Sequence, residues 1–61
     1  MNTIFHINHG DDLYEISMRE NTIVRISRYN ANSRRVDVEF DHLTHDVQVK
    51  IIDKAKHMLS H

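Results

Sequence analysis

Cysteine, proline and tryptophan are absent from this chain of 61 residues, and glycine occurs once. Without cysteine there is no disulfide and no thiolate metal site. A single glycine, Gly10, excludes P-loop and dinucleotide-binding turns, which need at least two. It also excludes the GxSxG elbow that presents a nucleophilic serine. No apolar run approaches the roughly 20 residues needed to span a bilayer. Residues 1–8 carry neither the basic start nor the long apolar stretch of a secretory leader. No repeat or low-complexity stretch appears. These absences point to a small cytoplasmic domain with no membrane segment.

What is present is ordinary for a globular domain, 39% hydrophobic and 28% charged, and unlike the composition of a disordered chain. A chain this short hides only about 60% of the surface its unfolded form exposes, so stability is thin. The formal net charge of -1 directs the chain toward neither nucleic acid nor a membrane surface. Charge is nevertheless segregated. Residues 1–18 hold Asp11, Asp12 and Glu15 with no base, and residues 19–35 hold five arginines against Glu20. Residues 36–46 hold Asp37, Glu39, Asp41 and Asp46 with no base, and residues 47–61 hold Lys50, Lys54 and Lys56 against Asp53. Blocks of alternating sign suit neighbouring strands that pair in a sheet.

The periodicity predicts four strands, about 2–9, 12–19, 22–29 and 34–40, and a helix over about 45–60. Gly10-Asp11 is a two-residue type II′ hairpin signal. It pairs Ile7 with Tyr14 and Phe5 with Ile16, with Met18 on the same apolar face and His6 opposite Glu15 on the other. Asn30-Ala31-Asn32 reads as the second hairpin loop, with Asn32 left-handed. That register sets Val24 against Val38 and Ile26 against Val36, and Arg25 against Asp37 and Ser27 against Arg35 on the polar face. Ile23 falls on the polar face with them. From Thr44, the expected N-cap, the period becomes helical. Val47, Ile51, Ile52, Ala55, Met58 and Leu59 share an arc of about 140°. The fold expected is α+β, a four-stranded antiparallel meander with one C-terminal helix on one face (ββββα).

One helix is about 10–12 Å wide, and four strands span nearly twice that. Some of Phe5, Ile7, Tyr14, Val36, Val38 or Phe40 should therefore stay open. Uncovered apolar surface predicts a homodimer, joined at the first strand or through Phe5, Phe40, Met58 and Leu59.

Six histidines are the compositional oddity. His6 and His9 repeat the spacing of His42 and His45, and with a carboxylate such a set offers a weak zinc alternative. In a strand, positions three apart face opposite sides, so the simpler reading is solvated histidine and no metal. Catalysis has little support, since the serines lie in strands or turns and the Asp11–Asp12 pair lies in a turn. Arg19, Arg25, Arg28, Arg34 and Arg35 form a candidate nucleic-acid surface, with Tyr29 available to stack. Asp37 and Glu39 oppose it. Ile4, Leu13 and Tyr29 stand on the otherwise polar face beside His6 and Arg25, the pattern of an apolar-centred, polar-rimmed partner interface. The sequence thus predicts a non-enzymatic protein-interaction module, a modulator or inhibitor of a larger protein that acts as a homodimer. No cofactor and no small-molecule substrate are expected, and nucleic-acid binding is the alternative.

Overall fold

The computed structural model describes residues 2–32 and 34–59. It holds strands β1 (Asn2–His9), β2 (Asp12–Arg19), β3 (Thr22–Tyr29) and β4 (Arg35–Asp37), a 3₁₀ turn at Phe40–His42, and helix α1 (His45–Leu59). The strands form one antiparallel sheet in the order β1-β2-β3-β4, with the helix after them. The α+β, ββββα architecture is therefore as the periodicity predicts. The last residue of the expected helix, Ser60, lies outside the described residues.

The first hairpin follows its turn chemistry. His9 pairs with Asp12 across Gly10-Asp11, and Ile7–Tyr14 and Phe5–Ile16 follow in the expected register. Among the described residues positive φ is confined to Gly10, at 62°, and Glu20, at 56°. Positive φ at the first loop residue alone is the type II′ pattern. The β2–β3 turn repeats it, because Arg19 pairs with Thr22 across Glu20-Asn21. There a glutamate occupies the position that favours glycine. A left-handed side chain costs about 1–2 kcal/mol, and glycine returns part of that as unfolded-chain entropy. Glu20→Gly is therefore expected to stabilise by about 0.5–1 kcal/mol, a rise of a few degrees in Tm. Thermal melts at one protein concentration check this, and an unchanged or lower Tm would count against strain at Glu20.

The second half of the sheet departs from simple alternation in two places. Ser17 pairs with Arg25 but Met18 pairs with Ile23, so Val24 is an extra residue in β3. This bulge reverses the phase of the strand on its N-terminal side. Ile23, expected on the polar face, packs against the core, and Val24, expected inside, is 60% exposed. The β3–β4 register is also two residues longer than expected. Ser27 faces Asp37, Arg28 faces Val36, and Tyr29 faces Arg35. The reason is the loop. Asn30 Oδ1 accepts the backbone N–H groups of Asn32 at 2.9 Å and Arg34 at 3.1 Å, and the Asn30 N–H reaches the Arg34 carbonyl at 3.3 Å. The side chain thus organises a five-residue loop, and Asn32 does not take the left-handed conformation. A shift of two residues keeps each side chain on its face. The expected strand 34–40 shrinks to Arg35–Asp37. After the Val38 N–H donates to the Ile26 carbonyl at 2.9 Å, the chain turns away into the 3₁₀ segment.

Helix α1 starts directly after Thr44, whose carbonyl accepts the Gln48 N–H at 3.0 Å. Asp46 in the first turn and Lys56 and His57 in the last suit the helix dipole. Val47, Ile51 and Ala55, four residues apart, are its buried stripe. They close a core with Phe5, Ile7, Tyr14, Ile16, Met18 and Ile26. The helix lies toward the β1 side, where Lys50 Nζ donates to the Asn8 carbonyl at 3.1 Å. On the other side Gln48 Nε2 donates to the Phe40 carbonyl at 2.9 Å. The cover is therefore unequal. Phe5, Ile7 and Tyr14 are buried, while Val36 is exposed and Val38 and Phe40 are half-buried. Phe5, expected at a dimer contact, is only 4% exposed inside its own core and has no surface to offer a partner. Ile52, Met58 and Leu59, placed in the apolar arc by periodicity, stay substantially exposed.

Candidate functional site

The sheet face opposite the helix gathers the polar side chains into transverse rows. One row runs Ile4–Ser17–Arg25, the next His6–Glu15–Ser27–Asp37, and the third Asn8–Leu13–Tyr29–Arg35. The five residues singled out for partner binding, Ile4, His6, Leu13, Arg25 and Tyr29, thus share this face within three adjacent rows. Ile4 is 57% exposed, Arg25 is exposed, and Leu13 and Tyr29 are half-buried against their neighbours.

The middle row carries the side-chain bonds. His6 Nε2 lies 3.2 Å from Glu15 Oε2. Ser27 Oγ donates to Asp37 Oδ1 at 2.9 Å and accepts from Arg35 Nε at 3.2 Å, and Arg35 Nε lies 3.4 Å from Asp37. Ser27 is completely buried between these groups. Alternation with a three-residue loop sets Ser27 against Arg35 and Arg25 against Asp37. The longer loop instead brings Asp37 to Ser27, and Arg35, two residues earlier on the same strand, completes the bridge. Arg35 and Asp37 are well exposed, so their ion pair contributes at most about 1 kcal/mol. The arrangement is not that of a nucleophile. The Ser27 hydroxyl is enclosed and held by a carboxylate and a guanidinium, and His6 stands two strands, about 10 Å, away.

The five arginines do not form one surface. Arg28 pairs with Tyr14 and Val36 on the helix-bearing face. Arg19 and Arg35 lie in rows six residues apart along the sheet, about 20 Å. Arg34 belongs to the loop and Arg35 is engaged by Asp37. A groove that follows phosphates needs a continuous basic track, and this distribution breaks it.

The histidine set is likewise dispersed. His6 and His9 sit on opposite faces of β1. His6 is held by Glu15, and His9 Nδ1 lies 3.1 Å from Lys50 Nζ. His42 ends the 3₁₀ turn and His45 opens α1. Among the described residues no three histidine, aspartate or glutamate side chains converge as a metal site would require.

An apolar groove of about 460 Å³ lies where β4 stops short, between the first half of β3, the segment 38–40 and α1. Ile23, Val24, Val38, Phe40 and Ile52 line it, and Arg25, Asp37 and Glu39 form its rim. No volume of this size is expected of so small a domain. It is an open channel left by the bulge and the early end of β4, neither of which has a strong sequence signal. Among the described residues no helix is long and apolar enough to cross a membrane.

Compared with protein-family models, with curated proteins and with solved structures, the chain matches none. The described surface offers a broad strand face with an exposed isoleucine and paired charges.

Proposed function

We propose that this chain is a non-enzymatic protein-interaction module that binds a larger protein through its helix-free sheet face, modulates or inhibits it, and acts as a homodimer. The observation that carries the reading is the placement of Ile4, His6, Leu13, Arg25 and Tyr29 together on that face. An exposed isoleucine and half-buried Leu13 and Tyr29 beside paired polar groups match the composition of a protein interface. Arg and Tyr are among the residues that most often dominate binding energy. The face is preorganised by the strands beneath it, so little ordering cost attends binding. Dimerisation would enlarge the face without changing its chemistry.

The test is affinity capture from the native cell with the intact chain and two variants. Arg25→Glu combined with Tyr29→Ala is expected to lose the captured protein. Lys56→Glu, on the exposed side of the helix, is expected to retain it. A partner held equally by the sheet-face variant would place the binding elsewhere. Binding to oligonucleotides that weakens steeply with salt would replace the protein-partner reading with nucleic-acid recognition.

A further inference from the structure

Strand β1 is an edge of the sheet over its full length of eight residues. The direction of its backbone groups follows from the hairpin. A two-residue loop is closed by a pair that exchanges hydrogen bonds, here His9 and Asp12, and hydrogen-bonded and open pairs then alternate along an antiparallel ladder. Asn8, His6, Ile4 and Asn2 therefore turn their N–H and C=O groups away from β2. Two other contacts agree. The Ile26 carbonyl accepts from Val38 and so points away from β2, which leaves its partner Ile16 bonded toward Phe5 on β1. Lys50, reaching round from α1, finds the Asn8 carbonyl on the outer edge at 3.1 Å.

Lysine on a sheet edge blocks strand pairing, and Lys50 blocks the C-terminal end of β1. Asn2, Ile4 and His6 remain open. They are symmetric about Ile4, whose side chain is 57% exposed on the helix-free face. The strand has no proline, no bulge against β2 and no aspartate, glutamate, lysine or arginine.

We infer that the second copy of the homodimer proposed above adds here, β1 antiparallel to β1, with the dyad at Ile4. Ile4 then faces Ile4 of the partner copy, and Asn2 faces His6. Each of these pairs exchanges backbone hydrogen bonds, and no like charges stand opposite one another. An eight-stranded sheet results, with both helices on one side and the two helix-free faces merged on the other. The residues of the proposed binding face then form a doubled surface with Ile4 at its centre. A second copy fits this edge better than a foreign strand because the open groups are self-complementary in number, symmetry and charge.

The inference rests on the homodimer reading, and the experiment separates the two. The intact chain is followed by sedimentation from micromolar concentration upward, with Ile4→Lys and Ile4→Pro beside it. Proline at position 4 removes only an outward N–H, so the monomer keeps its ladder. Either variant is expected to weaken dimerisation by about tenfold or more while keeping the far-UV spectrum of the dilute protein. The chain has no cysteine, so Ile4→Cys carries the only thiol. Mild oxidation is expected to cross-link it as a dimer, with Val49→Cys left largely monomeric. Amide exchange at Ile4 and His6 is expected to slow as concentration rises. A dimer that ignores the Ile4 variants and cross-links at Leu59→Cys overturns the edge geometry and leaves the homodimer intact. A chain monomeric at every concentration and salt overturns the homodimer itself. Protection of Ile4 and His6 that appears only with a captured partner assigns the edge to that partner and overturns self-pairing.

Discussion

Ile51→Ala is expected to cost about 2–5 kcal/mol, the range for removing a buried isoleucine side chain down to its β-carbon. Ile51 is fully buried, one of four such side chains among the described residues, with Ile16, Val47 and Ser27. Domains carry roughly 0.05–0.15 kcal/mol of stability per residue, so 61 residues hold about 3–9 kcal/mol. One substitution at the centre of the helix–sheet contact therefore removes between about a fifth of the total and all of it. The cost is large here because the core is small. Val47, Ile51 and Ala55 are the whole buried stripe of α1. Ile52→Ala, one position on, is the control. Its side chain lies at the groove and is exposed, so the loss should stay below about 1 kcal/mol. Urea unfolding followed by circular dichroism at one protein concentration checks both, because a dimer makes the midpoint depend on concentration. Equal losses for Ile51→Ala and Ile52→Ala would mean that the helix packs on a different face.

The parts of this fold that were legible in the sequence are those with strong local chemistry. Gly10 supplies positive φ in a loop of two, and the alternation of Phe5, Ile7, Tyr14 and Ile16 leaves one register that keeps both faces pure. The change of period at Thr44 marks the helix. The partner-face residues on β1 and β2 follow from the same alternation, and Arg25 and Tyr29 join them because both lie on the C-terminal side of the bulge. The illegible parts are those where two local solutions are nearly equal. Asn30 can begin a three-residue loop or use its side chain to organise one of five, and both keep Arg35 and Asp37 on the polar face. Ile23-Val24 offers two apolar neighbours in succession. Either can point inward, and only the competition between the Glu20-Asn21 turn and the downstream register decides which. Burial of Ser27 follows from the loop length and is invisible without it. The groove is a further consequence, since it exists only because β4 ends at Asp37 while β3 runs on toward Thr22.

Deletion of Val24 is expected to leave the protein folded, with stability changed by no more than about 1 kcal/mol. The physical reason is that Val24 is the surplus residue of the bulge. Without it Thr22, Ile23, Arg25 and Ile26 pair in unbroken sequence with Arg19, Met18, Ser17 and Ile16, and the Glu20-Asn21 turn is untouched. Ile23 and Ile26 then reach the core by plain alternation, and the only side chain lost is 60% exposed. Deletion of Ser17, directly across the ladder, is expected to do the opposite. β2 pairs on both sides, so a missing residue there turns everything after Ile16 to the other face. Met18, 4% exposed in the core, would swing out beside Ile4, and Arg19 would point inward toward Thr3. Loss of a buried methionine costs about 2–5 kcal/mol, and turning an unpaired guanidinium inward adds several more. Together these exceed what so small a domain holds. Far-UV circular dichroism and amide dispersion in a proton–nitrogen NMR spectrum distinguish the two chains directly. A Val24 deletion that unfolds, or a Ser17 deletion that folds like the parent, would show that Val24 is paired and the extra residue lies elsewhere in the ladder.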